Sequence, residues 1–494
     1  MPQTVRQVQP PLNFVPAAYN PWIMRAVHWM LPIFMRVRLR PWLPAGISHI
    51  EVEGVDRLVD LYQQFEAGQA RFIMAPRHVE VDDPLCGLYL CSRAVAKAAK
   101  KRGIQLKRPI HIHFIYERGM TIWAGKFVGW LLSRIGGTPI RRGRKPDWVG
   151  LKAARKILIE GDLPLVVAPE GATNGHSERI GPLEPGVAQL GFWCAEDLQR
   201  ANRTEDVFIV PVGIQYRYEQ NNWPRLTELL SDLESRSGLV RSERAFSRDA
   251  PAEKDCYLRI LRLGEHLIET MQRFYGRHYH HRFEPTTTDG EISNEGIDRE
   301  TTDSEKIDRK RTDSKLDIEV CTERLHTLLD KALGVSEQFF NLKGRGTFVD
   351  RCRQIEESSW NYIYREDLSD IDQLSPLEKG LADWAAQEAS LRELHMRIVE
   401  SFVAVDGAYL NENPSFERCA EMALLMSDML ARLDGDKLPG RPRLGWRRVQ
   451  MIVQSPIEVT SRLADYQANR RSGRKAVSAL TEEIRLSLEE TIQR

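Results

Sequence analysis

The sequence predicts an α/β protein, a sheet covered by helices, interrupted by a long and mostly α-helical region. Three observations predict it. Short apolar runs that read as strands alternate with helix-length patterns over residues 49–220, the signature of a sheet with helices on its faces. From about Asn221 the apolar spacing becomes helical. Near the C-terminus a strand-like alternation returns in V-Q-M-I-V-Q-S-P-I-E-V, residues 449–459.

The N-terminal segment, 1–48, is basic and rich in tryptophan. Its stretch Trp22–Leu39 is interrupted by Arg25, His28, Pro32, Arg36 and Arg38, too polar for a span of about 20 apolar residues. Trp22, Trp29 and Trp42 beside arginines suit a helix lying in the headgroup region of a membrane. The alternative is a helix packed on its own domain through those tryptophans. A signal-peptide pattern of basic head, apolar stretch and small-residue cleavage site is not expected here.

Strands follow at His49–Glu53, Phe72–Ala75, the alternation Ile110, Ile112, Phe114, then Leu165–Ala168 and Val207–Val210. Helix patterns lie between them at Leu85–Lys101 and Trp148–Glu160. Residues 221–283 read as helical, with Ile260, Leu263, Leu267, Met271 and Phe274 on one stripe. Residues 284–316 are poor in apolar side chains and contain a short repeat, I-D-R-E-T-T-D-S-E-K then I-D-R-K-R-T-D-S-K, which predicts a disordered linker. Residues 317–445 are helical again. One helix is expected over 414–433, with Asn413 as N-cap, Pro414 first and Gly435 beyond its end. Residues 446–494 close the chain with the strand and an amphipathic helix through Ala476, Leu480, Ile484, Leu488 and Ile492.

The chain of 494 residues has 70 Lys+Arg against 69 Asp+Glu. This balance hides an uneven distribution. Residues 1–50 carry Arg6, Arg25, Arg36, Arg38 and Arg40 with no acid, and residues 84–146 carry only one acid, Glu117, among many Lys and Arg. Such blocks suit anionic partners. Seven scattered cysteines without a CxxC pair fit reduced thiols in a cytoplasmic protein.

The strongest chemical signal is R-H-V-E-V-D-D-P-L, residues 77–85. His78 and Asp83, spaced His-x4-Asp, lie just after one predicted strand and at the start of a helix. A carboxylate there accepts the imidazole Nδ1–H and leaves Nε2 to take a proton from a hydroxyl. Taken alone the pair is also a common structural arrangement. Other chemistries are poorly served: no G-x-x-x-x-G-K loop is present, Ser177 has no nucleophile-elbow context, and His278, His280 and His281 lack a matching metal-ligand spacing. No metal site and no cofactor are expected.

Three further segments accompany the pair in order: R-I-G-G-T-P-I-R-R-G-R (134–144), V-V-A-P-E-G-A-T-N-G (166–175) and V-P-V-G-I (210–214). Together the four resemble the sequence blocks of the glycerolipid acyltransferases, the lysophosphatidate and glycerol-3-phosphate acyltransferase superfamily. The resemblance implies a glycerol-3-phosphate acyltransferase-like fold with a mixed sheet. It makes His78 and Asp83 catalytic, and puts Arg142 on the family's substrate-binding arginine, with Arg141 and Arg144 as neighbouring phosphate ligands. Pro169, Glu170 and Gly171 match the third block, with Glu170 and Gly171 at the acceptor pocket. Leu183, Pro185 and Gly186 match its downstream tail, and Pro211 matches the fourth block, on the acyl-binding face. Residues 455–459 and 479–492 resemble the family's closing strand and helix. One acyltransferase domain is therefore expected to be split by an insertion of residues about 221–445, the alternative being two independent domains.

The implied activity is transfer of a fatty acyl group from acyl-CoA or acyl carrier protein to a glycerophospholipid precursor, 1-acylglycerol 3-phosphate first among them. The implied setting is peripheral, at an anionic membrane on its cytoplasmic face. Nucleic acid, a rival use of the basic block, does not fit these motifs. The third block departs from the family's Glu-Gly-Thr-Arg-Ser: Thr173 stands where an acceptor-binding arginine is common. Arg77 replaces a frequent Asn, and Arg141 an Asp. A lysophospholipid or another lipid-like hydroxyl therefore remains an alternative acceptor, and a membrane-attached scaffold with a degenerate core an alternative of another class.

Overall fold

The computed structural model describes every residue except 1–6, 13, 39–44, 142–146, 240–251, 284–302, 366, 369–370, 403–406, 436–439 and 493–494. Two compact units emerge. One comprises residues 10–222 and 431–494, the other 223–430 together with the segment ending at Gln9.

The first unit is built on a mixed sheet of eight strands: β1 (Ile47–Glu53), β2 (Ala70–Pro76), β3 (His113–Glu117), β4 (Gly137–Ile140), β5 (Leu165–Val166), β6 (Asp206–Tyr218), β7 (Arg447–Val453) and β8 (Ile457–Glu458). Their order is β1-β7-β6-β2-β5-β3-β4, with β8 also on β6. The run β6-β2-β5-β3-β4 is parallel, β7 and β8 are antiparallel to β6, and β1 is parallel to β7. The strand after the helical region is thus not a separate structure. It lies inside the sheet, between β1 and β6.

Alternation along the strands divides the core. Phe72, Met74, Val210, Val212, Ile214 and Tyr216 point to one face, against the helices Val55–Glu66 and Asp83–Lys101. Ile73, Ala75, Val207 and Ile209 point to the other, under the helices Trp148–Glu160, Gly186–Arg200 and Arg470–Glu489. Thr491, just past the end of the last helix, packs so closely on β6 that a Cβ on Gly213 would lie 2.2 Å from its Oγ1.

β6 is far longer than its apolar run suggested, and it passes straight through Pro211. A proline in a central strand lacks a ladder donor. Here that donor is not needed: Pro211 falls where β7 ends and β8 has not begun, and its carbonyl accepts from Gln454 N at 3.0 Å.

The N-terminal helix Pro21–Arg36 begins at Asn20, whose side chain accepts from the amides of Trp22 and Ile23. It packs through Met24, Leu31 and Met35, while Trp22 and Trp29 are 73% and 77% exposed. Packing on the domain and outward tryptophans therefore coexist, since the two sets occupy opposite faces of the helix. Trp42 lies outside the described residues.

The second unit is helical: Trp223–Ser237, Ala252–Tyr279, Asp303–Phe339, Phe348–Ile363, Pro376–Glu400, Gly407–Glu412 and Phe416–Asp434. Capping boxes at Thr347/Asp350 and Ser375/Glu378 start two of them. Of the disordered linker expected over 284–316, residues 284–302 lie outside the described residues, and the helix Asp303–Phe339 follows. One sequence expectation changes here. The helix expected from Pro414 starts at Phe416, because Ser415 rather than Asn413 caps it, accepting from Arg418 N at 3.3 Å.

Candidate active site

Parallel strands deliver their following loops to one edge of the sheet, where open α/β folds place their ligands. β2 and β5 are neighbours, so the loops carrying His78 and Glu170 emerge side by side. Asp83 opens the helix Asp83–Tyr89, with Pro84 in its first turn.

His78 Nδ1 lies 2.9 Å from Asp83 Oδ2. The ionised carboxylate only accepts, so the imidazole donates from Nδ1 and its Nε2 keeps a lone pair. The His78 side chain is 28% exposed and that of Asp83 6%. One ring edge is held inside while the ring as a whole reaches solvent. Asp83 is further fixed: Oδ2 accepts from Glu80 N at 3.0 Å, and Oδ1 from the Tyr216 hydroxyl at 2.7 Å.

Glu170 stands behind the histidine. Its Oε1 accepts from His78 N at 3.0 Å, and Oε2 from Asn174 Nδ2 at 2.5 Å and Gly181 N at 2.9 Å. Burial pushes its carboxyl above the ordinary range, with the nearby Arg77 guanidinium opposing. Expected at the acceptor pocket, Glu170 spends both oxygens on protein donors and holds the His78 backbone. Gly171 supplies a left-handed turn, φ +72°, directly after it.

Arg77 is fully buried. It donates to the carbonyls of His176, Ser177 and Arg179, tying the loop after β2 to the loop after β5. Beneath the pair lies a second ionic layer. Arg441 donates to both oxygens of Glu80, and Arg447 to Asp82 while its guanidinium sits 4.7 Å from the Tyr216 ring centroid. Burial raises the carboxyls of Glu80 and Asp82, against the lowering pull of these arginines. Burial alone would lower Arg447, but Asp82 and Glu80 hold it above its usual range.

The remaining expected residues are placed as follows. Arg141 follows β4, three strand spacings or about 14 Å from β2 along the same edge. Its amide donates to Asp147 Oδ2 at 2.8 Å, an oxygen shared with the Arg118 guanidinium. Arg142 and Arg144 lie outside the described residues. Pro211 is buried and, five residues before Tyr216 on β6, points to the opposite face of the sheet, away from the His78–Asp83 pair. Among the described residues no three His, Cys, Asp or Glu side chains converge as metal ligands do.

Sequence reasoning missed the supports: Tyr216, Arg77 as a staple, Asn174, Arg441 and Arg447. Alternation along β6 was the one available signal, since it puts Tyr216 on the face of Val212 and Ile214. The two C-terminal arginines gave none, because they meet the loop 80–83 from more than 350 residues away.

The four blocks, their order and this geometry converge with a comparison against known families. Residues 49–215 match the family model described as Acyltransferase. No curated protein matches the chain. The chain thus carries, over residues 49–215, a domain of the glycerolipid acyltransferase family.

Proposed function

We propose that this domain transfers a fatty acyl group from acyl-CoA or acyl carrier protein to a hydroxyl of a glycerolipid precursor, with 1-acylglycerol 3-phosphate as the leading acceptor. The observation that carries the reading is the His78 Nδ1–Asp83 Oδ2 contact of 2.9 Å on a partly exposed histidine. Nε2 takes the proton of the acceptor hydroxyl as its oxygen attacks the thioester carbonyl. The carbon–sulfur bond then breaks, and the leaving thiolate recovers that proton from the imidazolium. Asp83 orients the ring and balances its charge, without itself taking the proton. Arg141, Arg142 and Arg144 hold the acceptor phosphate, and the basic stretch 84–146 attracts the anionic donor.

The proposed setting is the surface of a membrane, on its cytoplasmic face. No helix among the described residues is long and apolar enough to cross a membrane. Instead Trp22, Trp29 and Ile33 on the N-terminal helix, and Phe127 and Trp130 on the helix Lys126–Arg134, are exposed. Such aromatic side chains beside arginines favour the headgroup region.

A second acceptor class is favoured by Thr173, exposed and uncharged three residues after Glu170. It predicts weaker dependence on an acceptor phosphate. The test offers the purified full chain labelled acyl-CoA or acyl carrier protein together with glycerol 3-phosphate, 1-acylglycerol 3-phosphate, lysophosphatidylcholine or a long-chain alcohol. Preference for the phosphomonoesters supports the leading reading, preference for the others the second. No turnover with any pair refutes both and favours a scaffold.

A further inference from the structure

We propose that Tyr216 is a positioning residue of the acyl-transfer site, setting through Asp83 how readily His78 accepts a proton. This deepens the acyltransferase reading and rests on it. Asp83 has two oxygens with different duties. Oδ2 receives the imidazole and the Glu80 amide, and Oδ1 receives the Tyr216 hydroxyl at 2.7 Å. A carboxylate with only the first set could rotate about its Cβ–Cγ bond. The phenol pins the second oxygen and fixes the plane in which the first meets Nδ1.

Tyr216 is itself held on every side. Its ring lies under the Arg447 guanidinium at 4.7 Å, its amide donates to Ser177 Oγ at 3.3 Å, and Cys86 Sγ is 3.5 Å from its hydroxyl. Charged or titratable groups facing it are Asp83, Asp82, Cys86 and Arg447. Burial, then the Asp83 charge, raise the phenol well above its ordinary range, so it stays a donor at any working pH. Burial likewise keeps the Cys86 thiol protonated.

The phenol also withdraws charge from the carboxylate. Removing it leaves Asp83 more negative towards His78, and the imidazolium is then held more tightly. A less ready release of the proton to the leaving thiolate, and a looser ring, both slow turnover. Acceptor and donor binding involve neither group directly, so KM is spared.

The experiment compares Tyr216→Phe with the unaltered full chain in two ways. First, the His78 ring is followed by NMR titration, its resonance assigned by its loss in His78→Gln. The expected result is a titration displaced to higher pH by about half a unit or more, with the folded state verified by circular dichroism. Second, kcat is expected to fall about tenfold at unchanged KM. An unmoved His78 titration in a folded variant overturns the proposal, as does a loss confined to KM. If Tyr216→Phe does not fold, a fluorotyrosine placed at position 216, nearly the same size and a stronger donor to Asp83, takes its place. It is expected to displace the His78 titration to lower pH, and an unmoved titration overturns the proposal. If the unaltered protein transfers no acyl group at all, the acyltransferase reading fails, while the NMR titration still decides the coupling.

Discussion

The amide of His78 donates to the Glu170 carboxylate at 3.0 Å, across 92 residues of sequence. This bond joins two motifs whose joint presence otherwise looks like coincidence of spacing. Glu170→Gln keeps the size but turns one acceptor oxygen into a donor, which must face His78 N, Asn174 Nδ2 or Gly181 N. One buried donor is left unpaired, at a cost of about 1–3 kcal/mol. Thermal unfolding is expected to show that loss, together with a fall in kcat; unchanged stability and rate would remove Glu170 from the support of the site.

Arg447 is the buried counter-ion of Asp82 and Glu80. Arg447→Met leaves two carboxylates beneath the loop 80–83 with only Arg441 opposing them. Breaking such a pair from one side costs about 3–5 kcal/mol. Urea unfolding is the measurement, and adding Asp82→Asn should recover part of the loss. A single-variant cost under about 1 kcal/mol contradicts the assignment.

Stability should fall in mild acid, and buried His111 is one source of that fall, beside His28 and His395. His111 is buried against Tyr19 and His28, donates from Nε2 to Ile135 O at 2.7 Å, and burial lowers it to about 3. The unfolded chain binds that proton near 6.5. Unfolding therefore takes up a proton throughout the window between 6.5 and about 3, and stability is lost as pH falls through it. Between pH 7 and 5 the loss from His111 is about 2 kcal/mol. His111→Gln keeps a donor for Ile135 and should make this part of the pH profile shallower by about that amount; an equally steep profile excludes the ring as a contributor.

Trp22 and Trp29 are exposed and hold no part of the core. Replacing both by serine should leave unfolding unchanged, yet cut sedimentation with anionic vesicles by roughly tenfold or more, as each ring offers ~1.5–3 kcal/mol of burial. Undiminished binding would move the membrane contact elsewhere.

Much of the fold was legible because strands and helices carry different periods. The runs Phe72–Ala75 and Val207–Val210 sit in the sheet, Leu165–Ala168 contributes only Leu165–Val166 to it, and the alternation read over 449–459 falls on β7 and β8. Strand length was less legible: β6 runs on through Pro211 because the gap between β7 and β8 removes the penalty that proline normally carries. The His78–Asp83 pair was readable because its members are five residues apart. Glu170 was visible as a motif, but its orientation towards the His78 amide was not. Tyr216 and Arg447 act across the sheet, and long-range contacts of that kind leave no periodic trace.

The central claim is that Nε2 of His78 is the base for acyl transfer. Its most direct test is the single-turnover rate of transfer from labelled acyl-CoA to 1-acylglycerol 3-phosphate by the full chain and by His78→Gln. The account predicts a fall of about 10²–10⁴-fold in the variant, with its fold and donor binding intact. A variant that transfers the acyl group as fast as the unaltered protein would contradict it.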